Sequence, residues 1–204
     1  RISEEGEVLV SIEASFKGYY KDTAATAKVF RGGWLHTGDS GHIDEEGNFI
    51  FIDRLSDLLE LTDGTKFSPQ FIESRLKFSP YVKEAITLGG KDRPFVGAII
   101  NIDFQNVGNW AERHRLPYTT FADLSQKKQV HDLIKKDIER VNKHLPEKAR
   151  IKRFALLHKE FDPDEAELTR TRKIRRTFME QRYGELVEAI YGNKESLEVQ
   201  AKVK

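Results

Sequence analysis

One stretch, GWLHTGDSGHIDEEGNFIFIDRLSDLLELTDGTKFSPQFIE from Gly33 to Glu73, limits most tightly how this chain can fold. His42-Ile43-Asp44 and Asn48 to Ile52 flank Glu45-Glu46-Gly47, a hairpin pattern in which Gly47 can take the positive φ of the turn. Phe49 and Phe51 fall on one face of the second strand and Ile50 and Ile52 on the other. Apolar residues on both faces predict a strand buried on both sides. A piece of about 50 residues with so few elements buries too little surface to stand alone. Residues 1–53 therefore read as the β-rich end of a larger N-terminal domain, with a hinge at 54–57.

The remainder reads as a small α+β domain over 58–192, followed by a polar tail at 193–204. Ser68-Pro69 is a helix start, Ser as the cap and Pro in the first turn. Tyr81–Leu88, Phe95–Ile102 and Ile151–Leu157 read as strands, the second apolar enough to be central. Asn106–His114 reads as a modest helix. Val130, Leu133, Ile134, Ile138, Val141 and Leu145 repeat with helical spacing, predicting an amphipathic helix over Gln126–Leu145. A last helix is expected over Lys173–Tyr191, capped by Gly192. The expected fold class is α+β, a three-stranded sheet packed by helices. Upstream, Glu7–Ile12 alternates as a strand and Asp22–Phe30 holds about a turn of helix.

Composition removes several classes. Net charge is +1, so the whole chain does not read as a nucleic-acid binder. There are no cysteines, which excludes disulfides and thiolate metal sites and fits a cytoplasmic protein. Six His show no metal-ligand spacing, so no metal site is expected. No apolar run approaches the roughly 20 residues of a membrane span.

Three features could carry chemistry. Asp39, after Thr37-Gly38, reads as a carboxylate on a tight turn, and a carboxylate can accept both hydroxyl hydrogens of a ribose diol. Arg54 could donate to the same sugar. Taken alone, a turn and an exposed Asp-Arg pair explain these residues equally well. Lys173 is one of five cations in Glu167–Arg176 (ELTRTRKIRR), where a solvated basic face is the plain reading. The Asp63-Gly64-Thr65-Lys66 loop before a helix start is ordinary by itself.

Their order and distances are not ordinary. GWLHTGDSGHIDEEGNFIFIDRLSD, GTKFSPQFIE and ELTRTRKIRR together resemble the adenylate-forming superfamily of acyl-CoA synthetases, luciferases and adenylation domains. The lysine-loop wording and the added helical stretch Val107–Asn142 resemble long-chain fatty-acyl-CoA synthetases most. The resemblance implies that Asp39 and Arg54 bind the ribose of ATP and AMP, and that Ser56 and Asp57 lie at the hinge. Gly64, Thr65 and Lys66 would line the coenzyme A channel, and Lys173 would be the adenylation lysine. Ser56 departs from the family pattern, which has Asp or Lys there. Implied partners are a fatty acid, ATP with Mg2+, coenzyme A and an N-terminal domain of the same chain; peripheral membrane contact stays open. The chain alone is expected to be inactive, because the phosphate loop, adenine segment and acyl pocket would lie before Arg1. Two alternatives stand beside this reading: an adenylating ligase for another acid or a carrier-protein acceptor, and a non-catalytic α+β module binding an anion or nucleic acid through residues 170–176.

Overall fold

The alternation of Glu7, Val8, Leu9 and Val10 is realised as strand β1 (Glu7–Val10). The computed structural model describes residues 1–11, 16–161 and 176–192. It divides the chain into two compact units, Arg1–Leu58 and the part from Leu59 onward.

In the first unit β1 is followed by α1 (Thr23–Val29), whose N-cap Asp22 accepts from the Ala25 amide at 2.8 Å. Then come β2 (Phe30–Arg31), β3 (Trp34–Ile43) and β4 (Phe49–Arg54). β3 is the hub and pairs with β1, β2 and β4, each time antiparallel. The β3–β4 hairpin forms as expected. Gly47 turns it at φ +84, and Asp44 Oδ1 accepts from the amides of Glu46 and Asn48 at 3.0 and 2.7 Å.

The expected two-sided burial of β4 does not occur. Phe49 and Phe51 are 51% and 54% exposed, and Ile50 and Ile52 are half-buried. The alternation is real, but no described element of this unit covers the Phe face. The Phe49 ring lies instead against Gly41, where an added Cβ would come within 2.5 Å of it. Residues Leu55–Asp57 form one 3-10 turn that ends the unit.

The second unit opens with a short antiparallel ribbon, β5 (Leu59–Glu60) and β6 (Lys66–Phe67). α2 (Pro69–Leu76) follows; Ser68 Oγ accepts from the Phe71 amide at 3.0 Å, as the sequence predicts. Next are β7 (Val82–Leu88), β8 (Val96–Ile102), α3 (Phe104–Arg113), α4 (Phe121–Ser125), α5 (Lys128–Asn142) and β9 (Ile151–Leu156). The order is β7-β8-β9, with β7/β8 antiparallel and β8/β9 parallel. Every residue of the central β8 is buried, because both faces of the sheet are covered. Val96, Ala98, Ile100 and Ile102 join Ile72, Leu76, Val107, Val130, Ile134 and Ile138 in one core. Ile99 joins Ile86, Leu88 and Leu157 in a second core under the C-terminal helices. Each such aliphatic side chain contributes about 1.5–3 kcal/mol by leaving water.

The single helix expected over 173–191 is two in the described part, α6 (Arg176–Arg182) and α7 (Gly184–Tyr191). Tyr183 leaves helical geometry at φ −102, ψ 28, beside Gly184, a weak residue in a helix interior. Both pieces still bury their apolar side, through Met179, Leu186, Val187 and Ile190. Gly192 receives α7 with extended backbone rather than the left-handed cap that glycine usually supplies, and its amide donates to the Glu188 carbonyl at 2.7 Å. Among the described residues no helix is long and apolar enough to cross a membrane.

Candidate functional site

Asp39 is not on a tight turn. It lies within β3, opposite Arg54 of β4 in the strand register. On the other edge of β3 the pairing with β1 runs Leu9↔His36 and then Glu7↔Ser40, so Val8 alone faces Thr37, Gly38 and Asp39. The triplet is therefore a β-bulge, a device that locally re-aims side chains. Gly38 makes it possible by taking φ +72, a conformation that costs other residues energy.

The polar groups of the bulge are held from three directions. Arg54 Nη1 donates to the Thr37 carbonyl at 2.9 Å and lies 3.1 Å from Asp39 Oδ1. The Asp39 amide donates to Thr37 Oγ1 at 3.1 Å, and that hydroxyl donates to the Val8 carbonyl at 2.9 Å. The Gly38 amide donates to Glu7 Oε1 at 3.0 Å, while Glu7 Oε2 lies 2.7 Å from His36 Nδ1. Partial burial pushes the Glu7 carboxyl up, but the His36 and Gly38 contacts outweigh it and leave it below the usual carboxylate value. Beneath the pair, buried Asp53 accepts from the Arg54 amide at 2.8 Å. The Asp39 side chain is 33% exposed and that of Arg54 59%. An acceptor and a fan of donors thus stand side by side toward water. A vicinal diol, whose hydroxyls both donate and accept, is matched by that set.

Ser56 and Asp57 lie in the 3-10 turn, where Ser56 Oγ donates to Asp57 Oδ1 at 2.9 Å on an exposed surface. Gly64, Thr65 and Lys66 belong to the β5–β6 ribbon of the second unit. Asp63 organises that loop. Its Oδ1 accepts from the Thr65 amide at 3.0 Å and its Oδ2 pairs with Lys148 at 2.9 Å. Hydrogen bonds from Thr65, then from Lys148, hold the Asp63 carboxyl far below its ordinary value. Lys173 lies outside the described residues. Among the described residues no group of three or more His or acidic side chains is placed to hold a metal ion.

Two site-building residues escape sequence reasoning. Glu7 stands in the sequence only as the first residue of the expected strand Glu7–Ile12, and its role appears once the bulge is known. Glu73 stands in the sequence only as the last residue of GTKFSPQFIE, yet its Oε1 accepts from the Thr87 amide and from Arg176 Nη2, both at 2.7 Å. Arg176 also donates to the Thr87 carbonyl. Thr87 is on β7, an edge strand, so these two side chains close an otherwise open stretch of backbone.

The AMP-binding enzyme C-terminal domain family matches residues 56–195, more than half of the chain. The chain belongs to this family. Ser56, Asp57, the Gly64 loop and Lys173 fall inside the AMP-binding C-terminal match, whereas Asp39 and Arg54 precede it. The chain is 31% identical over 196 residues to the long-chain-fatty-acid–CoA ligase FadD15 of Mycobacterium tuberculosis, covering 96% of this chain and 32% of that protein. It is also 31% identical over 190 residues to long-chain-fatty-acid–CoA ligase 1 of Cavia porcellus, covering 92% of this chain and 27% of the relative. It therefore spans about a third or less of these relatives' lengths. Among solved structures, the adenylation domain of the Mycobacterium chelonae carboxylate reductase is similar with a TM-score of 0.59 at 25% identity, over 91% of this chain and 27% of that one. The α+β architecture with helices on a small sheet is that of the C-terminal regions of adenylate-forming enzymes.

Proposed function

We propose that the chain is the C-terminal part of a long-chain fatty acid–CoA ligase that works through an acyl-adenylate. The Asp39–Arg54 pair across β3 and β4 carries the reading from the structural side, because it offers a water-facing match to a ribose diol. The relatives named long-chain-fatty-acid–CoA ligases support the substrate class.

In the first step a fatty acid carboxylate oxygen bonds to the α-phosphorus of ATP while the bond to the β-phosphate oxygen breaks, releasing pyrophosphate. In the second, the coenzyme A sulfur bonds to the acyl carbon, the bond to AMP breaks, and the thiol proton is lost. Asp39 accepts from the ribose hydroxyls and Arg54 donates to them, fixing the nucleotide through both steps. Lys173 stabilises the charge that builds on the α-phosphate and carboxylate oxygens, as a point charge rather than a nucleophile. Ser56 and Asp57 form the hinge between residues 1–53 and 58–192, and Gly64 to Lys66 line the path of the thiol. Mg2+ would accompany ATP as part of that substrate; among the described residues no group of three or more His or acidic side chains is placed to hold it. The protein acts in the cytoplasm on a substrate that partitions into membranes.

One second reading is an adenylating ligase for another acid, or one that passes the acyl group to a carrier-bound thiol instead of free coenzyme A; the similarity to an adenylation domain from an enzyme named a carboxylate reductase, not a CoA ligase, supports it. Acid-dependent ATP–pyrophosphate exchange by the full-length enzyme, over a panel of chain lengths and with either acceptor, tests both. Exchange driven best by long-chain acids, with thioester made on free coenzyme A, is the expected result. No exchange with any acid overturns the proposal.

A further inference from the structure

We propose that Glu7 is the positioning residue for Asp39, holding the bulge that presents the carboxylate; this rests on the ribose-binding role given to Asp39 above. Three residues of β3 bulge opposite the single residue Val8, and such an excess of backbone keeps one shape only where its polar groups have fixed partners. The neighbouring strand supplies them. The Glu7 carboxylate takes the Gly38 amide at 3.0 Å with one oxygen and meets His36 Nδ1 at 2.7 Å with the other, so it spans the start of the bulge. The next residue, Val8, offers its carbonyl to Thr37 Oγ1, which in turn holds the Asp39 amide. Arg54 closes the remaining side through the Thr37 carbonyl. Glu7 is the one charged side chain in this set that is mostly buried, with 13% of it exposed, and it does not touch Asp39. Its effect on the nucleotide is therefore indirect: it sets the Gly38 backbone at φ +72 and so the direction from which Asp39 leaves the strand. Loss of Glu7 leaves the Gly38 amide without its acceptor and the bulge free to relax toward ordinary pairing.

The readout is discrimination between ATP and 2′-deoxy-ATP in pyrophosphate exchange by the full-length enzyme. A general loss of folding lowers the amount of active enzyme and leaves this ratio unchanged, whereas a misplaced Asp39 changes it. Wild-type enzyme is expected to prefer ATP by about tenfold or more, the worth of one hydrogen bond to a charged group. Glu7→Ala should reduce the preference to under about threefold, mainly through KM for the nucleotide. Glu7→Asp, charged but one methylene short of spanning both contacts, should do the same. Glu7→Gln, which still accepts from the Gly38 amide, should restore most of the preference. If Glu7→Ala fails to fold, the Asp and Gln variants decide the matter. An unchanged preference in Glu7→Ala or Glu7→Asp, alongside its loss in Asp39→Asn, overturns the role of Glu7 and leaves that of Asp39 standing. An unchanged preference in Asp39→Asn removes the ribose reading and the role of Glu7 with it.

Discussion

Arg54 Nη1 stands 3.1 Å from Asp39 Oδ1, directly across the β3–β4 register, and the same nitrogen reaches the Thr37 carbonyl at 2.9 Å. One guanidinium thus ties the carboxylate and its backbone together while remaining mostly in water. Exposed pairs of this kind contribute little to stability, about 0–1 kcal/mol. Their placement matters more than their strength. Asp39→Asn and Arg54→Ala should therefore unfold within a few degrees of the parent, yet raise KM for ATP about tenfold each in the full-length enzyme. Arg54→Lys should behave like the alanine variant, since an ammonium cannot reproduce the planar fork. Steady-state kinetics with ATP as the varied substrate, beside thermal unfolding, checks both halves.

Glu73 is the opposite case. Its side chain is 14% exposed, and one oxygen serves both the Thr87 amide and Arg176. Glu73→Ala leaves a buried strand amide and a guanidinium without their acceptor, at a cost of roughly 2–3 kcal/mol. The urea midpoint of the variant should fall accordingly. The exposed Lys135–Glu139 pair, at 4.0 Å, is the control, and Lys135→Ala should leave the midpoint where it was.

The His131 ring stacks on Phe154 with centroids 4.3 Å apart, so one face is covered although the residue as a whole stays exposed. Burial lowers its pKa from the ordinary 6.5; Asp132 opposes that shift and Lys135 adds to it. A base whose folded pKa is depressed favours the neutral form in the folded state. Its contribution is present in full above pH 6.5 and is lost as pH falls below that value. Lowering pH from about 7.5 to about 5.5 should therefore cost His131 protein more thermal stability than the His131→Phe variant, which keeps the stack without the proton. Equal slopes in the two proteins would show that the imidazole does not respond to its surroundings in this way.

What the sequence revealed, and what it hid, follows from the range of the interactions. The helical spacing of Val130, Ile134, Ile138 and Val141 and the unbroken apolar run of β8 were legible because each reports burial through its own periodicity. The cap at Ser68 and the turn at Gly47 were legible because their chemistry is local. The exposure of Phe49 and Phe51 was not, since alternation shows which face a residue takes but not what covers that face. Nor was the bulge at Thr37-Gly38-Asp39, because its shape depends on how many residues β1 sets opposite it. Glu73 with Arg176, 103 positions apart, leaves no trace in any local window. The break at Tyr183 was foreshadowed only by Gly184, a residue that many helices tolerate.

The chemistry assigned to Lys173 separates the two half-reactions. In the full-length enzyme, Lys173→Ala should lower ATP–pyrophosphate exchange by at least about a hundredfold, the scale of losing one preorganised charge at a developing oxyanion. Thioester formation from supplied acyl-adenylate and coenzyme A should stay within about threefold of the parent, because that step needs no added charge at the α-phosphate. Equal loss of both half-reactions would contradict the role given to Lys173, and with it the reading of this chain as the part of the ligase that delivers the adenylation lysine.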